Sequence, residues 1–270
     1  MEVAKGKAEA RIAHLRLLEV HSYSDAPRGA DVVAELREAI KAYAGTPEEG
    51  LARMLLGDLL VKQGKREDGF VQYRDVIVRF PAEPYARYAR LRLALALEGQ
   101  NECAKAREVL GPVLDDPIWG GRAYWIRGKL NVRECRYDAA VADFATAIRT
   151  ADSVWVRGQC YLELARVYTE QGWADKARDA YAAYMRFSPS REERLDVQLG
   201  IVRSLLRAKR YVEAAQAAIE VEMEVDTTAA TRYTKGDAER VKTELDPIIA
   251  QCEAALPSAD LAPREWMEVQ

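Results

Sequence analysis

The stretch YLELARVYTEQGWADKARDAYAAYMRFSP, residues 161–189, carries the pattern that decides the fold. The small residue Ala165 lies midway along a predicted first helix, and Ala177 opens a predicted second helix. Tyr181 follows four residues later, and Pro189 closes the segment. Two helices whose axes approach closely need Gly or Ala at the crossing, because a larger side chain would hold the backbones apart. The stretch therefore predicts two antiparallel helices that pack on each other.

The same pattern returns at a pitch of 34 to 37 residues along most of the chain. Three positions define each repeat: one on the first helix, one on the second helix, and one four residues after that. In chain order they are occupied by Gly57, Gly69 and Tyr73; Ala94, Ala106 and Leu110; Gly128, Ala140 and Phe144; Ala165, Ala177 and Tyr181; Val202, Ala214 and Ala218. A degenerate first repeat begins near Ala13. Helix pairs that recur in register predict a solenoid in which each pair stacks on the next.

These positions resemble the signature of the tetratricopeptide repeat family over residues 13–226. The resemblance implies an all-α fold, a right-handed α-solenoid of about six helix pairs with a C-terminal capping helix. The run at 79–86 is similar to the longer-pitch repeats of bacterial envelope-assembly proteins. The sequence departs from the family where Arg53, Tyr124 and Tyr161 replace its first-helix Trp, and most repeats carry three extra residues.

The repeat boundaries predict the organisation of the whole chain. The solenoid occupies 1–226, the capping helix 227–256 and a tail 257–270. Within the solenoid the repeats are expected near 13–49, 50–86, 87–120, 121–157, 158–194 and 195–226. The tail carries Trp266 and Met267, which either fold back on the chain or anchor another protein.

Composition excludes several classes of function. The chain is 49% hydrophobic and 31% charged with a net charge of −3, which favours a folded helical protein and argues against a nucleic-acid partner. No apolar run approaches the roughly 20 residues of a membrane span, so membrane insertion is not expected.

The charged N-terminal segment 1–7 shows no signal-peptide core, which favours a cytoplasmic location. A mature exported domain placed behind a new Met is the periplasmic alternative.

No catalytic or cofactor-binding motif stands out. The cysteines, Cys103, Cys135, Cys160 and Cys252, are too far apart for a CxxC site. His14 and His21 lie seven residues apart on one helix and have no HExxH-type neighbours. We therefore expect neither an enzyme nor a bound metal or cofactor.

The family resemblance implies that the first helices line a concave groove. Reading off the groove-facing positions gives a candidate partner-binding set: Met54, Tyr88, Arg122, Trp125, Lys129, Arg133, Arg166, Arg203 and Arg207. The ninth positions of three successive repeats are Lys129, Arg166 and Arg203, which would stack as a basic ladder. Such a ladder would suit a protein or peptide partner that carries acidic residues. The alternative is that these cations pair with acids of the same chain, such as Glu163 and Glu170.

The sequence favours a non-catalytic scaffold or adaptor that holds a protein or peptide in its groove. A rigid stack of helices offers a long surface, so the partner bears most of the cost of ordering. The alternative is a structural accessory subunit buried in a larger assembly, such as one of the cell envelope. The pattern predicts no oligomeric state.

Overall fold

The computed structural model describes residues 2–23, 29–187, 189–228 and 234–255. The predicted tail with Trp266 and Met267 lies outside these residues. Within them the chain forms α-helices, one 3-10 turn at Gly111–Val113 and no strand. The all-α class predicted from the repeat is confirmed.

Thirteen α-helices follow one another along the described part of the chain. Their bounds are α1 Glu2–Tyr23, α2 Gly29–Ala42, α3 Pro47–Lys62, α4 Arg66–Arg79, α5 Pro84–Gly99, α6 Cys103–Leu110, α7 Gly120–Arg133, α8 Tyr137–Thr150, α9 Val154–Glu170, α10 Ala174–Met185, α11 Arg191–Arg207, α12 Tyr211–Thr228 and α13 Lys235–Ala255. In chain order they are six successive pairs followed by a C-terminal helix, as the sequence predicted. The helix α1 begins well before Ala13, where the first repeat was expected to start.

The chain divides into two compact units, Met1–Arg133 and Glu134–Gln270, called here the N-terminal and C-terminal units. The division falls inside the predicted repeat 121–157, between its two helices. In the N-terminal unit α3 packs on α4 and α5 on α6, while α1, α3, α5 and α7 lie side by side as one layer of first helices. In the C-terminal unit α9 packs on α10 and on α11, and α12 packs on α11 and α13.

The small residues of the repeat lie where paired helices cross. A Cβ added at Gly57 on α3 would lie 2.7 Å from the Tyr73 ring and 3.2 Å from the carbonyl oxygen of Gly69 on α4. A Cβ at Gly69 would lie 2.8 Å from the carbonyl oxygen of Gly57. The side chain of Tyr73 is fully buried beside this crossing. Absence of a side chain at both glycines therefore permits the close packing of α3 on α4.

Helix starts follow their local sequence. The helix α3 begins with Pro47, and Glu48 and Glu49 occupy its first turn. Carboxylates there are attracted to the positive end of the helix dipole. The helix α11 begins with a capping box, in which the Glu193 amide donates to Ser190 Oγ and the Ser190 amide donates to Glu193 Oε2. These signals fix the first helices in register with the repeat.

The helix α13 closes the C-terminal unit. It shares a core with α11 and α12 whose buried members include Leu195, Leu199, Val202, Val241, Leu245 and Ile249. Its opposite face carries exposed polar residues such as Glu239 and Asp246. A terminal helix of this kind shields the apolar face of the last repeat from water.

Candidate protein-interaction groove

A groove of about 570 Å³ opens on the layer of first helices in the N-terminal unit. Three consecutive first helices, α1, α3 and α5, contribute to it, and Trp119 borders it from the turn before α7. The lining residues are Ile12, Arg16, Glu19, Pro47, Glu48, Leu51, Met54, Asp58, Glu83, Pro84, Tyr85, Tyr88 and Trp119. The groove therefore runs across the helices rather than along a single pair.

Helical periodicity places these side chains on one face. Leu51, Met54 and Asp58 are spaced by three and four residues on α3, so they point in one direction. Gly57 lies about a quarter turn farther around α3 and packs on α4, so Leu51, Met54 and Asp58 remain on the side of α3 that lines the groove. Ile12 on α1 is 42% exposed, whereas Met54 is only 9% exposed. The groove thus has a mostly buried apolar floor and an accessible apolar edge.

An aromatic wall forms the α5 side of the groove. The rings of Tyr88 and Trp119 lie 5.6 Å apart at a tilt of 56°. The guanidinium groups of Arg122 and Arg92 lie 5.6 Å from the Trp119 ring and 6.0 Å from the Tyr88 ring. At the other end the Tyr85 hydroxyl donates to the carbonyl oxygen of Pro47 at 2.5 Å. These contacts link α3, α5 and the start of α7.

Asp58 is held in the groove wall by two donors. The Arg92 Nε donates to Asp58 Oδ1 at 2.8 Å, and the Tyr73 hydroxyl donates to the same oxygen. Burial raises the pKa of Tyr73, and the negative charge of Asp58 raises it further. The hydroxyl therefore remains a donor at any physiological pH, and the charge of Asp58 is balanced within the wall.

The groove lining contains more carboxylates than cations. Glu19, Glu48, Asp58 and Glu83 face a single lining cation, Arg16. Arg16 donates to Glu19 at 2.9 Å, and Asp58 is paired with Arg92. Glu48 forms a longer ion pair with Arg11 Nη1, at 3.7 Å, and Glu83 has no ion-pair partner among the described residues. The groove is therefore apolar with an acidic end.

The predicted residues Lys129 and Arg133 both contact Glu98 in the N-terminal unit. Lys129 Nζ donates to Glu98 Oε2 at 2.9 Å, and Arg133 Nε donates to Glu98 Oε1. Burial would raise the pKa of Glu98, which is 4% exposed, but the hydrogen bonds and charges of Arg133 and Lys129 outweigh it and lower the pKa. The Lys129 ammonium also lies 5.5 Å from the ring of Trp125, which is 8% exposed. These three predicted side chains form a cluster around a buried acid.

In the C-terminal unit the predicted arginines also have acidic partners. Arg166 Nη1 lies 3.4 Å from Glu163, and Arg207 Nη2 lies 2.9 Å from Glu170. Arg203 pairs with Glu244 on α13. The basic ladder of Lys129, Arg166 and Arg203 stays a prediction, because its members lie in different compact units.

Met54 and Tyr88 are the members of the predicted set that line the groove, and Arg122 stacks on its border at Trp119. Sequence reasoning did not include Ile12, Glu48, Glu83, Tyr85 and Trp119. Part of the missing signal was present, because Pro47 and Pro84 open α3 and α5 at equivalent positions 37 residues apart. Residues beside these two prolines occupy the first turns of neighbouring helices, and side chains there face the groove.

Two kinds of site are not found in the part of the chain that the structure describes. No group of three or more His, Cys, Asp or Glu side chains could hold a metal ion among those residues. No described helix has the length and apolar character needed to cross a membrane.

Comparison with solved structures identifies the fold. PilF of Pseudomonas aeruginosa matches with a TM-score of 0.65 at 15% identity, covering 88% of this chain and 99% of that chain. PilW, described as a widely conserved type IV pilus biogenesis factor, matches with a TM-score of 0.64 at 16% identity, covering 89% and 99%. The MamA protein matches with a TM-score of 0.54 at 22% identity, covering 67% and 94%.

A tetratricopeptide repeat protein from Parabacteroides merdae matches as well, with a TM-score of 0.59 at 15% identity, covering 90% of this chain and 94% of that chain. No protein-family model and no curated protein matches the chain. At these identities the likeness concerns the fold alone. The chain has the tetratricopeptide repeat fold that its small and aromatic positions predicted.

Proposed function

We propose that this protein is a non-catalytic scaffold or adaptor that binds a segment of a protein partner in the groove of its N-terminal unit. The observation that carries the proposal is the groove itself, which spans three successive first helices and has an open apolar edge. Pockets with an apolar floor and a few placed polar groups are the usual form of a binding site. The tetratricopeptide repeat fold of the neighbours supports a protein as the partner.

The groove is preorganised by internal contacts. Glu49, at the start of α3, accepts hydrogen bonds from the Gly45 amide, from Arg53 and from Arg79 on α4. Asp58, one turn beyond Met54, ties α3 to α4 and α5 through Tyr73 and Arg92. A surface held in this way loses little conformational freedom when a partner binds, so more of the contact energy appears as affinity.

The proposal extends to acidic residues of the partner at the basic positions, Lys129 in the N-terminal unit and Arg166 and Arg203 in the C-terminal unit. Such residues would compete with Glu98 for Lys129, and with Glu163 and Glu244 for Arg166 and Arg203. Changing the three cations together to Glu is expected to weaken binding of an acidic partner by at least tenfold, because attraction becomes repulsion at each site. The measurement is the affinity of partners captured from native extract, and unchanged affinity would remove the acidic segment from the proposal.

A structural accessory subunit of a cell-envelope assembly is the second candidate function. It is supported by the fold of PilW, which is described as a type IV pilus biogenesis factor. A cytoplasmic location is proposed for the scaffold, and export would fit the envelope subunit. Fractionation of the native cells, with the protein found in the cytoplasm or in the envelope fraction, distinguishes the two.

Peptide selection tests the scaffold function directly. A phage-displayed library of random peptides is panned on the full chain, and the selected peptides are titrated against variants by fluorescence anisotropy. The groove variant is Ile12→Glu with Leu51→Glu, and the matched control is Val78→Glu, because Val78 is exposed on α4 outside the groove. We expect the groove variant to lose at least tenfold in affinity while the control retains it. Peptides that bind both variants alike would refute the assignment of the groove.

A further inference from the structure

We propose that the segment bound in this groove presents a Lys or Arg side chain next to large apolar side chains. The inference rests on the proposed function and names the chemistry of its partner. It assigns the cation to the acidic end formed by Glu48 and Glu83, and the apolar side chains to the floor and edge formed by Ile12, Leu51 and Met54.

The apolar part of the groove calls for apolar side chains in the partner. Ile12 is accessible at the edge, and Leu51 and Met54 form the floor beside it. Burying such surface is worth roughly 25 cal/mol per Å². An extended or helical segment with one or two large apolar residues would therefore find a complementary surface between α1 and α3.

The acidic part of the groove calls for a cation. The lining carboxylates outnumber the lining cations by four to one, counting Glu19, Glu48, Asp58 and Glu83 against Arg16. Three of the four carboxylates have an ion-pair partner inside the protein: Glu19 with Arg16, Asp58 with Arg92 and, at a longer 3.7 Å, Glu48 with Arg11. Glu83 has none among the described residues, and it lies with Glu48 near the starts of α3 and α5, at one end of the groove.

Glu48 has a cation partner inside the protein but no hydrogen bond from it. Its residue is 7% exposed, yet its carboxylate meets only Arg11 Nη1, at 3.7 Å, which is too long for a hydrogen bond. No described group donates a hydrogen bond to that carboxylate, and Glu48 lines the groove. Its oxygens are not among the buried polar atoms that lack a partner, so they remain accessible from outside the protein. A guanidinium or ammonium group of a partner could supply the donors from the groove side.

The neighbouring tyrosine reports the same negative potential. Burial raises the pKa of Tyr85, and the charges of Glu83, Glu48 and Glu49 raise it further. Glu49 is satisfied by Arg53 and Arg79, whereas Glu83 has no ion-pair partner among the described residues. The potential at this end therefore favours a positively charged group and opposes an acidic one.

The experiment compares selected peptides on variants that remove only charge. Peptides from the random library are sequenced and then titrated against the full-length protein, Glu48→Gln with Glu83→Gln, and the control Glu108→Gln. Glu108 is an exposed carboxylate on α6 that does not line the groove. We expect the selected peptides to be enriched in Lys or Arg adjacent to Leu, Ile, Met, Phe, Tyr or Trp.

The affinity of such a peptide should fall about tenfold on the double variant, because the partner's cation loses its attraction to both carboxylates. It should be unchanged on Glu108→Gln. If the double variant Glu48→Gln with Glu83→Gln does not fold, as judged by circular dichroism, the peptide affinity of the single variant Glu83→Gln is measured in its place. Added salt should weaken binding to the wild-type protein and have less effect on the double variant.

Two other outcomes separate the inference from the proposed function. Selected peptides that are acidic or uncharged, and that lose affinity on Ile12→Glu with Leu51→Glu, would overturn the inference and leave groove binding in place. Peptides that bind this groove variant as tightly as the wild type would overturn both. Failure of the library to yield any peptide above background would also count against both.

Discussion

Buried carboxylates that each bind several donors recur in the N-terminal unit. Glu49 binds Arg53 and Arg79, and Glu98 binds Lys129 and Arg133. In both places the acid is almost fully buried while the cations reach partly into solvent. Basic residues at repeat positions therefore form ion pairs with buried acids of the same chain, whether or not they also contact a partner. A cation read from the sequence as a partner contact has to be weighed against the acid that it already holds.

The Glu98 cluster predicts a pH-dependent contribution to stability. Burial opposes the charge of Glu98, but Arg133 and Lys129 lower its pKa below the ordinary value of 4.5. A carboxylate with a lowered folded-state pKa stabilises the fold above its unfolded pKa and loses that contribution as pH falls through the folded pKa. Glu98→Gln should thus lower the free energy of unfolding by about 1 to 2 kcal/mol at pH 7, given that its cations are partly exposed.

The measurement is urea denaturation of wild type and Glu98→Gln at pH 7 and at pH 3. The difference between the two proteins should shrink at the lower pH. Glu163→Gln is the matched control, because the Glu163–Arg166 pair is longer, at 3.4 Å, and its arginine is more exposed. A Glu98→Gln effect as small as that of the control would show that the cluster is not stabilising.

The turns between first and second helices contain residues whose substitution should change the stability of the fold. Gly64, Asn101, Cys135, Gly172 and Lys209 occupy equivalent turns and all have positive φ, from 56° to 81°. Left-handed backbone costs a non-glycine residue roughly 1 to 2 kcal/mol, part of which is offset by the greater freedom of glycine in the unfolded chain.

Lys209→Gly is therefore expected to raise the free energy of unfolding by about 0.5 to 1 kcal/mol, whereas Gly172→Ala should lower it by a similar amount. Thermal unfolding followed by circular dichroism measures both. Opposite signs for the two substitutions are the expected result. A destabilised Lys209→Gly protein would mean that the exposed lysine side chain makes contacts that outweigh the strain.

At the scale of helix pairs, the crossing glycines predict a steric effect. The Cβ of Gly57→Ala would lie 2.7 Å from the ring of Tyr73, which is fully buried and tied to Asp58 by its hydroxyl. Because the ring has nowhere to move, the substitution should cost about 1 to 3 kcal/mol despite the better helix propensity of alanine. Gly99→Ala is the control, since its added Cβ would have no atom within 4 Å apart from its chain neighbours and the nearby backbone of its own helix.

Chemical denaturation of the two variants gives the comparison. We expect Gly57→Ala to be destabilised and Gly99→Ala to be neutral or slightly stabilised. Equal behaviour of the two variants would contradict the explanation of the repeat as a set of helix crossings.

The helix crossings could be predicted from the sequence, whereas part of the groove lining could not. The crossings at Gly57 and Gly69 followed from the pattern, because close packing leaves no other residue type at these positions. Met54 and Tyr88 were placed on the groove side by the repeat positions that the family resemblance implies. Glu48 and Trp119 were not, since their orientation depends on where a helix begins and how the preceding turn folds. Periodicity within a helix is encoded locally, whereas the lining of a groove depends on how three helices meet.

On the scale of the whole molecule, the fold is shared with proteins whose sequences are 15% to 22% identical. The repeat constrains the crossing positions and leaves the groove positions free, so proteins of one fold can present different surfaces. Here the N-terminal unit presents an apolar groove with an acidic end. The proposed scaffold function therefore depends on the residues that the repeat does not specify.

Site-specific photo-crosslinking tests that claim most directly. A benzophenone amino acid is placed at position 12, at the accessible edge of the groove, or at position 78, exposed on α4. Each full-length protein is irradiated with a library-selected peptide carrying Lys or Arg beside apolar residues, and the products are mapped by mass spectrometry. We predict crosslinks from position 12 that excess unlabelled peptide suppresses, and none from position 78. Equal crosslinking from both positions, or crosslinking from position 78 alone, would contradict the account.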